Sequence, residues 1–192
     1  METSNTRRAT PPRCLLALSL WALVACVEVG RAPGSTSEKA LEIEAYADRA
    51  KSLEPSRQHL LESWAKLVDA PTYEGFRSTL RSRVLPAVEA YLTALEGCEA
   101  HHPEISKVHG ALVEAYGLFV RGLRSLSSKA ATLPATEIEE ALRTLLLDAR
   151  QAQEVYRQDM STLYAQNGYQ LVVDEKLPEK EPGTKEPGTK KD

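Results

Sequence analysis

The chain reads as an all-α protein, an antiparallel four-helix up-down bundle whose first and second helices are kinked by proline and whose ends are disordered. Three observations predict this. Apolar residues recur at steps of three and four through four segments of roughly 25 to 35 residues. Short stretches rich in Gly, Pro, Asn and Asp separate those segments. The third segment carries a heptad-like seam of the kind that packs one helix against another.

The first element is a leader. Arg7, Arg8 and Arg13 precede an apolar run from Leu15 to Ala25, eleven residues against the ~20 that a membrane-spanning helix needs. A basic start, a short apolar run and a small residue before a cysteine form the pattern of a cleavable secretion signal. Leu23-Val24-Ala25-Cys26 resembles the lipobox of bacterial lipoproteins. The resemblance implies that residues 1–25 are removed, that Cys26 becomes the first mature residue and that its thiol receives a diacylglycerol. It also implies a lipid-anchored protein of the bacterial cell envelope. Val27 and Glu28 follow the cysteine with no aspartate next to it, which resembles outer-membrane rather than inner-membrane sorting.

Residues 26–37 read as the lipidated cysteine and a Gly/Pro/Ser-rich tether. The bundle domain is expected over residues 38–168. Its first segment, Ser37 to Ala70, places Leu41, Ala45, Leu53, Leu60, Trp64 and Leu67 on helical spacings, interrupted by Pro55, with Ser56 free to restart the helix. The second has Phe76, Leu80, Val84, Val88, Leu92 and Leu95, a stripe advancing mostly by four, with Pro86 inside it and Gly97 at its end. His102-Pro103-Glu104 opens the third, whose seam is read as Ile105, Val108, Leu112, Ala115, Phe119, Leu123 and Leu126. Gly110 and Gly117 share one face of it and cost helix propensity, so a close helix approach is expected there. The fourth is expected to start with a capping box, Thr136 with Glu139. It continues through Ile138, Leu142, Leu145, Ala149, Ala152, Tyr156 and Leu163 and stops at Asn167-Gly168. Residues 169–192 read as an extended segment, Tyr169 to Val173, without a partner strand, followed by a charged tail in which Lys-Glu-Pro-Gly-Thr occurs twice in succession.

Composition narrows the function. Without residues 1–25 the chain holds 21 basic and 26 acidic residues, a net charge of about −5. With no basic run beside aromatic residues, nucleic acid is not an expected partner. The expected partners are the membrane, through the acyl chains, and another envelope protein. Cys98 is the one cysteine left for the folded part, which excludes an intramolecular disulfide there.

Candidate chemistry centres on Cys98, Glu99, His101 and His102, with His109 seven residues beyond His102. All are metal-ligand types, and Glu99 and His102 have the Glu-x-x-His spacing of di-iron bundles. Such a site needs two of these motifs and the chain has one, so no metal and no cofactor is expected. No catalytic motif is found: there is no Gly-x-Ser-x-Gly elbow and no phosphate-cradling glycine loop, and His59 stands alone. The sequence therefore points away from an enzyme. It supports a helical interaction module, with the Gly110/Gly117 face as a candidate partner surface. The alternative is a ligand or metal carrier using the bundle interior or the Cys98/His101/His102 cluster. The seven tyrosines are expected to rim the core.

Overall fold

The computed structural model describes residues 28–31 and 38–172. Almost all of this is helix, and the all-α class holds. In chain order the elements are β1 (Glu28–Arg31), α1 (Glu38–Lys51), α2 (Glu54–Val68), α3 (Tyr73–Thr79), a π-helical turn (Leu80–Val84), α4 (Leu85–Glu96), α5 (Pro103–Lys129), α6 (Ala135–Gln166) and β2 (Tyr169–Val172). The leader, Cys26, the rest of the expected tether and the chain from residue 173 onward lie outside the described residues.

Local chemistry sets most boundaries. Ser52 and Leu53 separate α1 from α2, and Pro55 sits in the first turn of α2, where a missing N–H is not needed. The Thr72 hydroxyl accepts from the Gly75 N–H at 3.0 Å and caps α3. At the start of α5, His102 Nδ1 accepts from the Glu104 N–H at 3.4 Å, with Pro103 next in line. Gly168 reverses the chain after α6 at φ 79°, a left-handed conformation that glycine adopts without steric cost.

Two expected caps do not form. Leu53, not Ser56, occupies the cap position of α2, and it makes no side-chain bond. The Thr136/Glu139 capping box is also absent, because α6 already begins at Ala135 and puts Thr136 inside its first turn. Pro134 holds the cap position, its ring fixing φ at −59° in an extended entry.

The π turn answers a mismatch in the sequence. Phe76, Leu80, Val84 and Val88 are all buried, yet steps of four drift by about 40° each around an α-helix. One wider turn absorbs the drift and keeps Leu80 and Val84 both at 0% exposure. Pro86 assists, since it offers no N–H to the Ser82 carbonyl, while the Leu85 N–H reaches the Leu80 carbonyl five residues back.

The core joins all the helices, but its register departs from the seams read in the sequence. On α1 the buried positions are Ala40, Ile43, Tyr46 and Ala47, whereas Leu41 is 56% exposed. On α4 Tyr91 is buried where Leu92 is half-buried. On α5 the seam is Ile105, His109, Leu112, Tyr116, Phe119, Leu123 and Leu126, with Val108 and Ala115 half-buried. This seam alternates four and three without a break, once His109 and Tyr116 are admitted as core residues. Most of the tyrosines do not rim the core: Tyr46, Tyr91, Tyr116, Tyr164 and Tyr169 lie in it, and only Tyr73 and Tyr156 pack half-buried against it.

The close approach expected at Gly110 and Gly117 is not there. A methyl group added at Gly110 would meet nothing within 4 Å, and at Gly117 only the Arg121 guanidinium at 3.6 Å. Gly122 is the tight position instead: a Cβ there would lie 2.3 Å from a Leu145 methyl on α6. The segment from Tyr169 also has a partner strand after all. β2 pairs antiparallel with β1, Glu28 opposite Val172 and Arg31 opposite Tyr169, so these four residues of the expected tether are hydrogen-bonded to the far end of the chain. The Tyr169 hydroxyl donates to the Ala40 carbonyl at 3.1 Å and lies 3.0 Å from a Glu44 carboxylate oxygen, fixing the start of β2 to α1.

Candidate functional site

Four helices meet at one imidazole. His109 Nε2 lies 3.0 Å from the Leu95 carbonyl on α4. A carbonyl can only accept, so Nε2 carries the proton and Nδ1 presents its lone pair. Tyr46 of α1 donates to that lone pair at 2.8 Å, and Tyr156 of α6 donates to the Tyr46 oxygen at 2.7 Å. The ordered chain thus runs from Tyr156 to Tyr46 to His109 and on to Leu95. Beside it, Gln153 of α6 donates to the Tyr116 hydroxyl, and the Tyr116 ring meets Tyr91 edge-on at 5.1 Å.

Burial governs the titration of these groups. It lowers the His109 pKa, opposed by the bond to Leu95. It raises the phenols of Tyr46, Tyr116 and Tyr156 beyond the ordinary tyrosine range and pushes Tyr91 and Tyr164 up to about 12. It also raises the Cys98 thiol, with Arg49 opposing. At neutral pH the network is therefore uncharged and Cys98 is a buried thiol, not a nucleophile.

The candidate ligands read from the sequence are dispersed. Cys98 is inside the core, and Glu99 and His101 are exposed, 3.9 Å apart. His102 faces the α5 backbone, and both nitrogens of His109 are engaged. Among the described residues no group of three His, Cys, Asp or Glu side chains is gathered to hold a metal ion. The turn around Cys98 is tied to α1: the Arg49 guanidinium donates to the Glu99 carbonyl at 2.8 Å, and Glu42, paired with Arg49, accepts from the His101 N–H at 2.9 Å. That N–H and Arg49 draw the Glu42 pKa down despite a larger opposing desolvation.

Among the described residues, the surface holds two clefts of note. One, of about 340 Å³, runs between α5 and α6 over Val108, Ala111, Ala152, Val155 and Tyr156, with Asp148 and Asp159 at its edge. Val155 there is 48% exposed, and Leu118 on the same helix as Ala111, seven residues on, is 57% exposed. The second, of about 410 Å³, lies between α2 and the π turn. Sequence reading missed both, because a groove depends on which helices become neighbours. Gly110 and Gly117 lie on the open side of α5.

No described helix is long and apolar enough to cross a membrane. Comparison of the chain with protein-family models, with curated proteins and with solved structures finds no match.

Proposed function

We propose that this chain is a lipid-anchored bacterial envelope protein, held at the outer membrane through Cys26, whose helical domain docks another envelope protein. The anchor rests on the leader and on Leu23-Val24-Ala25-Cys26. The domain is read as an antiparallel up-down bundle of four helical segments, the first two bent at Pro55 and Pro86. The pairs Glu89/Arg124 and Leu95/His109, and then Tyr116/Gln153 and Gly122/Leu145, support that reading, since in each set one partner number rises as the other falls.

One observation carries the docking role: the Tyr156–Tyr46–His109–Leu95 chain and the Gln153/Tyr116 pair at the centre of the bundle are spent on one another, while apolar side chains stand exposed along α5 and α6. An interior ligand would have to displace the Tyr156–Tyr46–His109 chain, which leaves the carrier alternative with less support. The α5/α6 groove has an apolar floor and acidic edges, which suits an amphipathic segment with basic flanks. No enzymatic role is proposed.

Two measurements test the two halves. Labelled fatty acid should enter the wild-type chain and not Cys26→Ala; equal labelling and membrane fractionation of the variant would overturn the anchor. A photo-crosslinking residue at Val155 should capture one defined envelope partner, lost on Asp148→Lys/Asp159→Lys. Capture that is indifferent to those charges would overturn the docking surface.

A further inference from the structure

The cleft between α2 and the π turn has a chemistry that neither the anchor nor the docking groove uses. His59, Glu62, Ser63 and Lys66 line one wall, at the i, i+3, i+4 and i+7 positions that share a helix face, and Ser82 and Arg83 line the other. Its floor is Ser63, only 4% exposed. Serine and threonine in helices commonly bond back to the carbonyl four residues earlier, as Ser82, Thr93, Thr144 and Thr162 do here. The Ser63 hydroxyl makes no such bond among the described residues, and its oxygen is not sealed from solvent, so a donor on a largely buried residue opens onto the cleft. Above it stand two cations, Lys66 and Arg83, without a carboxylate partner among the described residues. Arg57, Arg77 and Arg124, by contrast, each have one. The carboxylate in the cleft, Glu62, accepts from the Gln58 amide at 3.2 Å, back along its own helix.

We infer that this cleft is a binding site for a phosphate group, with Arg83 and Lys66 supplying charge from opposite walls and Ser63 donating from the floor. The π turn is what makes it: with ordinary α-helical turns the buried stripe would drift, and Arg83 and Ser82 would be carried around the helix away from α2. Guanidinium, ammonium and hydroxyl donors match the tetrahedral oxygens of a phosphate, and charge-assisted bonds of this kind are the strong ones. The phosphate can come free in solution or on a phospholipid headgroup, and the site is independent of how the chain is anchored.

Equilibrium dialysis of the full-length chain against radiolabelled inorganic phosphate, at constant ionic strength set with chloride, tests the first source. Co-sedimentation with phosphatidylglycerol vesicles, with phosphatidylcholine as control, tests the second. Saturable binding of about one phosphate per chain, or sedimentation specific to the anionic vesicles, is expected. Arg83→Ala and Lys66→Ala should each weaken it by roughly tenfold or more, and Ser63→Ala by less. Arg121→Ala, an exposed cation on α5, should leave it unchanged. Urea midpoints of the variants check that they fold; Arg83 and Lys66 are exposed, so both should. Absence of saturable binding in both arms would overturn the site. So would binding that falls equally with Arg121→Ala.

Discussion

His109 gains its place by being neutral, and that sets a pH dependence. Above its ordinary pKa of 6.5 the imidazole is neutral both folded and unfolded, and its contribution does not vary with pH. Below 6.5 the unfolded chain takes up a proton that the buried ring resists, so stability falls until the lowered folded pKa is reached. Urea unfolding from about pH 7.5 down to about 5.5 should show this loss, with a shallower slope in His109→Gln; equal slopes would refute it. Tyr73 offers the opposite case. Its hydroxyl is buried with no hydrogen-bond partner among the described residues, while its ring stacks on Phe76 at 6.4 Å and under the Arg77 guanidinium at 5.7 Å. Tyr73→Phe keeps the ring and removes the stranded group, so it should be neutral or stabilising by up to ~1 kcal/mol. A loss above that would reveal a partner for the hydroxyl.

Among the helices, the α5/α6 contact is the tightest place to test. Gly122→Ala should destabilise by ~1–3 kcal/mol through overpacking against Leu145, less a propensity gain of up to ~1 kcal/mol. Gly117→Ala has only the gain, because its face is open. The two substitutions on one helix should therefore differ in sign. Shortening the neighbour decides the cause: in a double-mutant cycle, Leu145→Ala should cost less in the Gly122→Ala background than in wild type. Additive effects would mean that the two residues do not collide.

For the molecule as a whole, the two ends of the described chain are brought together. Tyr169 is 3% exposed and bonded to α1, and β2 pairs with β1. Tyr169→Phe should cost ~1 kcal/mol for the lost hydroxyl bonds, and Tyr169→Ala ~3 kcal/mol or more with the buried ring. Limited proteolysis should then cut between α1 and α2 sooner than in wild type. Unchanged cleavage there would mean that α1 docks without help from β2.

Much of this architecture is a local matter, and the residues carry it openly. Proline forbids an interior hydrogen bond and glycine permits a left-handed turn wherever they fall, so Pro103 and Gly168 mark helix ends without reference to any neighbour. The alternation of apolar residues likewise specifies helices, an all-α class and the approximate span of the bundle. The reading of a leader ending at Cys26 is an expectation of the same local kind, drawn from a linear string that lies outside the described residues. Which side of a helix is core is less local. Val108 and His109, or Leu41 and Ile43, compete for the same seam, and hydropathy favours the wrong member when a polar ring can satisfy its own atoms inside. His109 is admitted because Leu95 and Tyr46 arrive from other helices, and Tyr116 because Gln153 does. The role of each glycine is less local still: Gly117 and Gly122 are alike in sequence, and only the position of Leu145 distinguishes them. The same holds for the strand partner of Tyr169–Val172, for the α5/α6 groove and for the cleft beneath Lys66 and Arg83. Each exists because distant segments meet, and packing, not propensity, decides which segments those are.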